Sequence, residues 1–79
     1  MEKVEVMPLE FVTRLEWSAI RNRRNQLLEA TDYTQTLDAP LSDAQRAEGA
    51  AYRQALRDVP QDFGDPFKVA WPVKPAFLK

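Results

Sequence analysis

The spacing of apolar residues changes four times along this chain. Val4 and Val6 alternate with Lys3 and Glu5, the period of two of a half-buried strand. Pro8 limits that stretch to an edge strand or an extended arm. From Thr13 the period lengthens. Trp17, Ile20, Arg24, Leu27 and Leu28 recur at intervals of three and four and form one stripe on a helix. Thr13-Arg14-Leu15-Glu16 has the form of a capping box, so the pattern predicts a first helix from 13 to about 30. Arg24 is a charge within the apolar row, placed to lay its stem over Trp17 and Leu28 and carry its head to an acid. Helical periodicity is lost over 31–41, where Thr, Asp, Gln and Pro dominate. Tyr33 and Leu37 supply the apolar bulk expected to cover the helix ends there, and a connection of this length predicts a packed, specific loop.

Ser42-Asp43-Ala44-Gln45 is a second capping box. It predicts a helix from 43 to 58 or 59, stopped by Pro60. Its apolar face runs from Ala44, Ala47 and Ala51 to Tyr52, Ala55, Leu56 and Val59, so it begins small and ends large. Gly49 costs this helix about 1 kcal/mol relative to Ala. Four of the six prolines, Pro60, Pro66, Pro72 and Pro75, fall in the last quarter of the chain. Asp62-Phe63-Gly64-Asp65-Pro66 reads as a turn. Phe67, Val69 and Trp71 then alternate in strand-like fashion. Pro72 and Pro75 stiffen the end of the chain toward polyproline II and forbid a third helix. The predicted fold is mainly α. An antiparallel two-helix hairpin over 13–60 lies between extended arms at 1–12 and 61–79, all in a single domain.

Within that fold Trp17, Ile20, Leu27, Tyr52, Leu56 and Trp71 are expected to form one cluster, because two helical stripes and one aromatic arm must share a core. Arg24 and Arg57 sit at inward-facing helical positions and are expected to be structural. The arm residues Trp71, Pro72, Pro75, Phe77 and Leu78 are the candidate partner-binding set, a low-entropy apolar segment of the kind that docks in grooves. Trp71 is expected to fold back on the hairpin as well. Phe77 and Leu78, beyond the last proline, are expected to reach a partner chain.

Composition narrows the chemistry. A chain of 79 residues buries only about 60% of its unfolded surface. It has no Cys and no His, so neither a disulfide nor a Cys/His zinc site can reinforce it. Reinforcement is expected from a partner chain or from further copies in a homo-oligomer. The formal charge of −1 lacks the basic surplus of a nucleic-acid binder. No apolar run reaches the ~18 residues that cross a membrane, and the charged N-terminus is unlike a signal peptide. Without Cys or His, the common nucleophile–base pairs are excluded. Asp62 and Asp65 flank a turn, and phosphate-binding loops are missing. The sequence predicts no enzyme and no cofactor.

Five landmarks occur in fixed order: Trp17-x-x-Ile20-Arg21-x-x-Arg24-Asn25-x-Leu27-Leu28, Asp32-Tyr33-Thr34-Gln35, Asp38-Ala39-Pro40-Leu41, Tyr52-Arg53-Gln54-Ala55-Leu56-Arg57-Asp58-Val59-Pro60 and Trp71-Pro72-x-x-Pro75. This string closely resembles the tail-assembly-chaperone-like domain of tailed bacteriophages over about residues 14–75. Gly49-Ala50-Ala51 departs from the aromatic usual before the Tyr52 segment. The resemblance implies a non-enzymatic tail or virion protein that binds another tail or virion protein through its apolar helix faces and its Trp-Pro arm. The alternative is a transient chaperone for a tail fibre or tail subunit, absent from the mature particle. It places the protein in the virion tail, or in the host cytoplasm during assembly. In either case Arg24, Arg53 and Arg57 are expected to pair with Asp32, Asp38 or Asp58 and fix the hairpin and its loop.

Overall fold

The computed structural model describes residues 8–78, and the Val4–Val6 alternation lies outside them. The architecture is the mainly helical hairpin that the periodicity predicts. Helix α1 spans Leu9–Thr31 and helix α2 spans Asp43–Asp62, with short 3₁₀ turns at Asp32–Gln35 and Pro66–Lys68. No strand occurs among the described residues.

Helix α1 begins four residues before the Thr13 capping box. A capping box starts a helix only where the preceding residues cannot be helical, and Leu9, Glu10, Phe11 and Val12 contain no breaker. Pro8 is the breaker. It sits at the cap with extended backbone, and its carbonyl accepts the N–H groups of Phe11 and Val12 at 3.0 and 3.1 Å. The helix ends in a run of threonines that bond back to carbonyls behind them. The Thr31 hydroxyl donates to the Leu27 and Leu28 carbonyls at 2.9 and 3.1 Å, and that of Thr34 donates to the Thr31 carbonyl at 2.7 Å. Side chains three apart eclipse in a 3₁₀ turn, so Thr31 and Thr34 both face inward. Thr34 is fully buried, whereas Tyr33 is half exposed and Leu37 is 99% exposed. The expected covering role of Tyr33 and Leu37 is thus not observed. The hydroxyls that satisfy the turn fill the inner side, and the larger side chains are turned away from it.

Helix α2 starts at the predicted capping box, with both of its hydrogen bonds made. The Gln45 N–H donates to Ser42 Oγ at 3.1 Å and the Ser42 N–H donates to Gln45 Oε1 at 3.0 Å. Pro60 does not end it. Proline there removes only the one N–H that would reach the Leu56 carbonyl, and the helix closes two residues later, with the Phe63 N–H on the Val59 carbonyl at 3.3 Å. Ile20, Tyr52, Leu56 and Val59 are buried.

Beyond α2 the chain reverses. Asp65 caps the second 3₁₀ turn by accepting the Phe67 N–H at 2.9 Å, and this turn packs on α1. Phe67, expected in a strand, lies in this turn and is exposed. The extended arm from Val69 then returns along the hairpin. Tyr52, Leu56 and Leu78 form the buried cluster, with Leu27, Leu28, Trp71 and Phe77 packed against it. Trp17 and Ile20 lie outside this cluster, lower on α1. Phe77 and Leu78, expected from the position of the last proline to reach a partner chain, lie against the hairpin instead. A turn closed by the Leu78 N–H on the Pro75 carbonyl at 3.1 Å brings them back onto it, and Leu78 is only 7% exposed.

Candidate functional site

The hairpin fixes its connection through arginines of α2. The last four carbonyls of α1 have no backbone partner within the helix, and its last turn holds no basic residue. Arg53 supplies the cation from α2. Its Nη1 donates to the Leu28 carbonyl at 2.6 Å and to Thr31 Oγ1 at 2.9 Å, while Nη2 meets the Asp32 carboxylate at 2.7 Å. The Arg53 side chain is buried, but that of Asp32 is 64% exposed, so water screens much of the ion pair. Arg53 Nε is buried with no hydrogen-bond partner. Two helical turns earlier, Arg46 donates to the carbonyls of Thr36 and Ala39 at 2.5 and 3.4 Å. Together these two side chains pin the whole interhelical connection.

Arg24 and Arg57 are placed otherwise than their sequence positions suggest. Arg24 lies along its neighbour, donating to Asn25 Oδ1 at 3.2 and 3.1 Å, and meets no carboxylate among the described residues. Arg57 shares the angular face of Arg46 and Arg53 but is exposed, with no hydrogen bond among the described residues. It lies one turn beyond Arg53 along α2, further from the end of α1 that Arg53 reaches. Arg46 is absent from the residues that sequence patterning singles out, yet it carries a legible signal. It lies seven residues before Arg53, and such a spacing puts two side chains on one face toward the same loop.

Trp71 anchors the arm. It is half-buried against the core cluster, and the Arg23 guanidinium lies 5.1 Å from its ring centroid, a cation–π contact. Arg21, rather than Arg24, covers Trp17, at 5.9 Å. Pro72 and Pro75 are half-buried and Val73 stands 91% exposed. Between the arm and α2 runs an open groove of ≈ 530 Å³. Ala51, Tyr52 and Ala55 line one wall, and Pro72, Val73 and Pro75 the other. The two alanines cause the groove, because larger side chains there would fill it. Glu48 and Lys74 stand at its rim. No backbone hydrogen bond ties residues 69–74 to the hairpin among the described residues, so the arm rests on side-chain packing. The structure thus brings Pro72 and Pro75 to one surface while packing Trp71, Phe77 and Leu78 against the hairpin.

No group of acidic side chains among the described residues is arranged to hold a metal ion. No helix among them is long and apolar enough to cross a membrane. No curated protein and no solved structure matches the chain. The family model described as phage tail assembly chaperone protein matches residues 17–76, from the tryptophan of α1 through the last proline of the arm. The match covers most of the hairpin, its pinned loop and the arm, and the chain belongs to the phage tail assembly chaperone family.

Proposed function

We propose that this protein is a non-enzymatic assembly factor that binds a phage tail protein in the groove between α2 and the arm. Family membership carries the tail-assembly role. The groove supports the binding role: it is apolar, open, and backed by a wall of proline and valine that is already extended. A wall fixed before docking loses less conformational entropy when a partner arrives. Trp71 holds that wall in place rather than presenting itself to the partner. Pro72, Val73 and Pro75 offer the contact surface.

The protein acts in the host cytoplasm while tails are being built and is absent from the finished particle. The supporting observation is the family's assembly-chaperone description. Quantitative mass spectrometry of purified virions and of infected-cell lysates tests this. The expected result is abundant protein in the lysate, bound to a tail protein, and far less than one copy per tail in the virion. Stoichiometric recovery from virions would instead make it a structural component of the tail.

A further inference from the structure

The arm that forms one wall of the groove has a periodicity of its own. Val69, Pro72 and Pro75 are half-buried and Leu78 is buried, while Ala70, Val73 and Ala76 are exposed. Burial thus repeats at every third residue, the period of a polyproline II helix. Val69 has φ −69° and ψ 126°. Pro72 and Pro75 fix their own φ, and each holds the residue before it, Trp71 or Lys74, in extended geometry. A polyproline II chain makes no backbone hydrogen bonds within itself. Among the described residues, none ties the backbone of residues 69–74 to the hairpin either. The N–H groups of Val73 and Lys74 therefore stand beside the groove with no backbone partner.

These unpaired groups select the form of the occupant. A helix uses its backbone groups on itself and brings side chains alone. A strand-like segment carries N–H and C=O groups along its edge and can join another extended backbone. The rim adds a charge of each sign on opposite walls. Glu48 stands on α2 and Lys74 on the arm, and neither is in an ion pair among the described residues. The Phe77 ring lies 3.7 Å from where a Gly49 Cβ would stand, so Glu48 marks the end of the groove nearest the arm's C-terminus. A segment with a base at that end and an acid beside Lys74 complements both charges. A second copy fits less well. The longest extended run among the described residues is the arm itself, in which Pro72 and Pro75 lack the donors that pairing needs. We infer that the groove takes an extended, strand-like segment of the tail protein, hydrogen-bonded to the arm's backbone, with a basic residue at Glu48 and an acidic one at Lys74; this rests on the groove proposed above.

The test is calorimetric titration of the full chain against the tail protein with which it co-purifies. Neighbouring amides of an extended chain point in different directions, so one of Val73 and Lys74 faces the incoming segment. Proline removes the N–H and keeps the extended form, whereas alanine keeps the N–H. Val73→Pro and Lys74→Pro are each compared with alanine at the same position. At one of the two, proline is expected to weaken binding about fivefold more than alanine, the loss of one hydrogen bond. Glu48→Lys/Lys74→Glu should weaken it about threefold or more, with native circular dichroism. Because a proline variant could misfold, hydrogen exchange across residues 69–76 of the native chain is a second measurement, and it is expected to slow in the complex. Proline tolerated like alanine at both positions, unchanged exchange in the arm, or indifference to the charge reversal would overturn the extended segment. If Val73→Asp still weakens binding in that case, the groove itself stands. Native affinity in Val73→Asp would remove the groove and the segment together. A native dimer in sedimentation velocity that Val73→Asp dissolves would also overturn the segment, by making a second copy the occupant.

Discussion

Arg53 shows how one side chain can end a helix it does not belong to. It reaches an α1 carbonyl that no backbone N–H of α1 can satisfy, and it is buried in doing so. Arg53→Ala should therefore cost about 1–3 kcal/mol, the penalty of leaving buried hydrogen-bonding groups unpaired. Arg53→Lys should recover little of it, since an ammonium cannot reproduce a fork shared among a carbonyl, a hydroxyl and a carboxylate. Arg57→Lys should lie within about 0.5 kcal/mol of the native protein, as exposed substitutions usually do. Urea unfolding of the three variants checks the contrast, and equal tolerance at 53 and 57 would refute it. Gly49 bears an opposite expectation. A Cβ built there meets Thr34, Gln35 and Phe77 at 3.5–3.7 Å, ordinary contact distances, and the backbone is helical. Gly49→Ala should stabilise the protein by up to about 1 kcal/mol, measured as a raised denaturation midpoint.

At the scale of elements, the helices are legible in the sequence because each stripe and the Ser42 capping box depend on residues close along the chain. Sequence patterning misleads where a neighbouring signal outweighs the motif or a distant part of the molecule decides. The Thr13 box is overridden by Pro8, a stronger local stop further upstream. Pro60 reads as a terminator, yet a proline so near a helix end removes only one bond. Arg57 and Arg53 are equivalent by periodicity, and only the position of α1's end separates them. The arm's extended form follows from its prolines, and its contact with the hairpin through Trp71 follows from the need for a core. The return of Phe77 and Leu78 depends on one turn closed at Pro75, which no periodicity reports. That return reverses the expectation for the end of the chain. Leu78→Ala should lower stability by about 2 kcal/mol or more, as for other buried leucines. Leu56, with no exposed surface, should cost about 2–5 kcal/mol on truncation. Thermal unfolding followed by far-ultraviolet circular dichroism checks both, and an unchanged midpoint for Leu78→Ala would detach the arm's end from the core.

For the whole molecule, a chain too short for a large core uses its own C-terminal arm as a third layer. The arm covers Tyr52 and Leu56 while its exposed edge and the alanines of α2 leave a groove open beside it. Trp71, Phe77 and Leu78 pack on the hairpin while Val73 is exposed, so the proposed binding edge is separate from the residues that hold the fold. Val73→Asp should accordingly leave the thermal midpoint nearly unchanged, whereas the same substitution at Leu78 should abolish folding. The proposed function rests on that separation together with membership of a tail assembly family. The most direct measurement is calorimetric titration of the purified protein against the tail protein of the same phage with which it co-purifies, native and Val73→Asp side by side. Saturable binding is expected for the native protein, with a loss of about tenfold or more in affinity for the variant and unaltered helicity. Equal affinity of the two would contradict this, since the groove would then take no part in holding the tail protein.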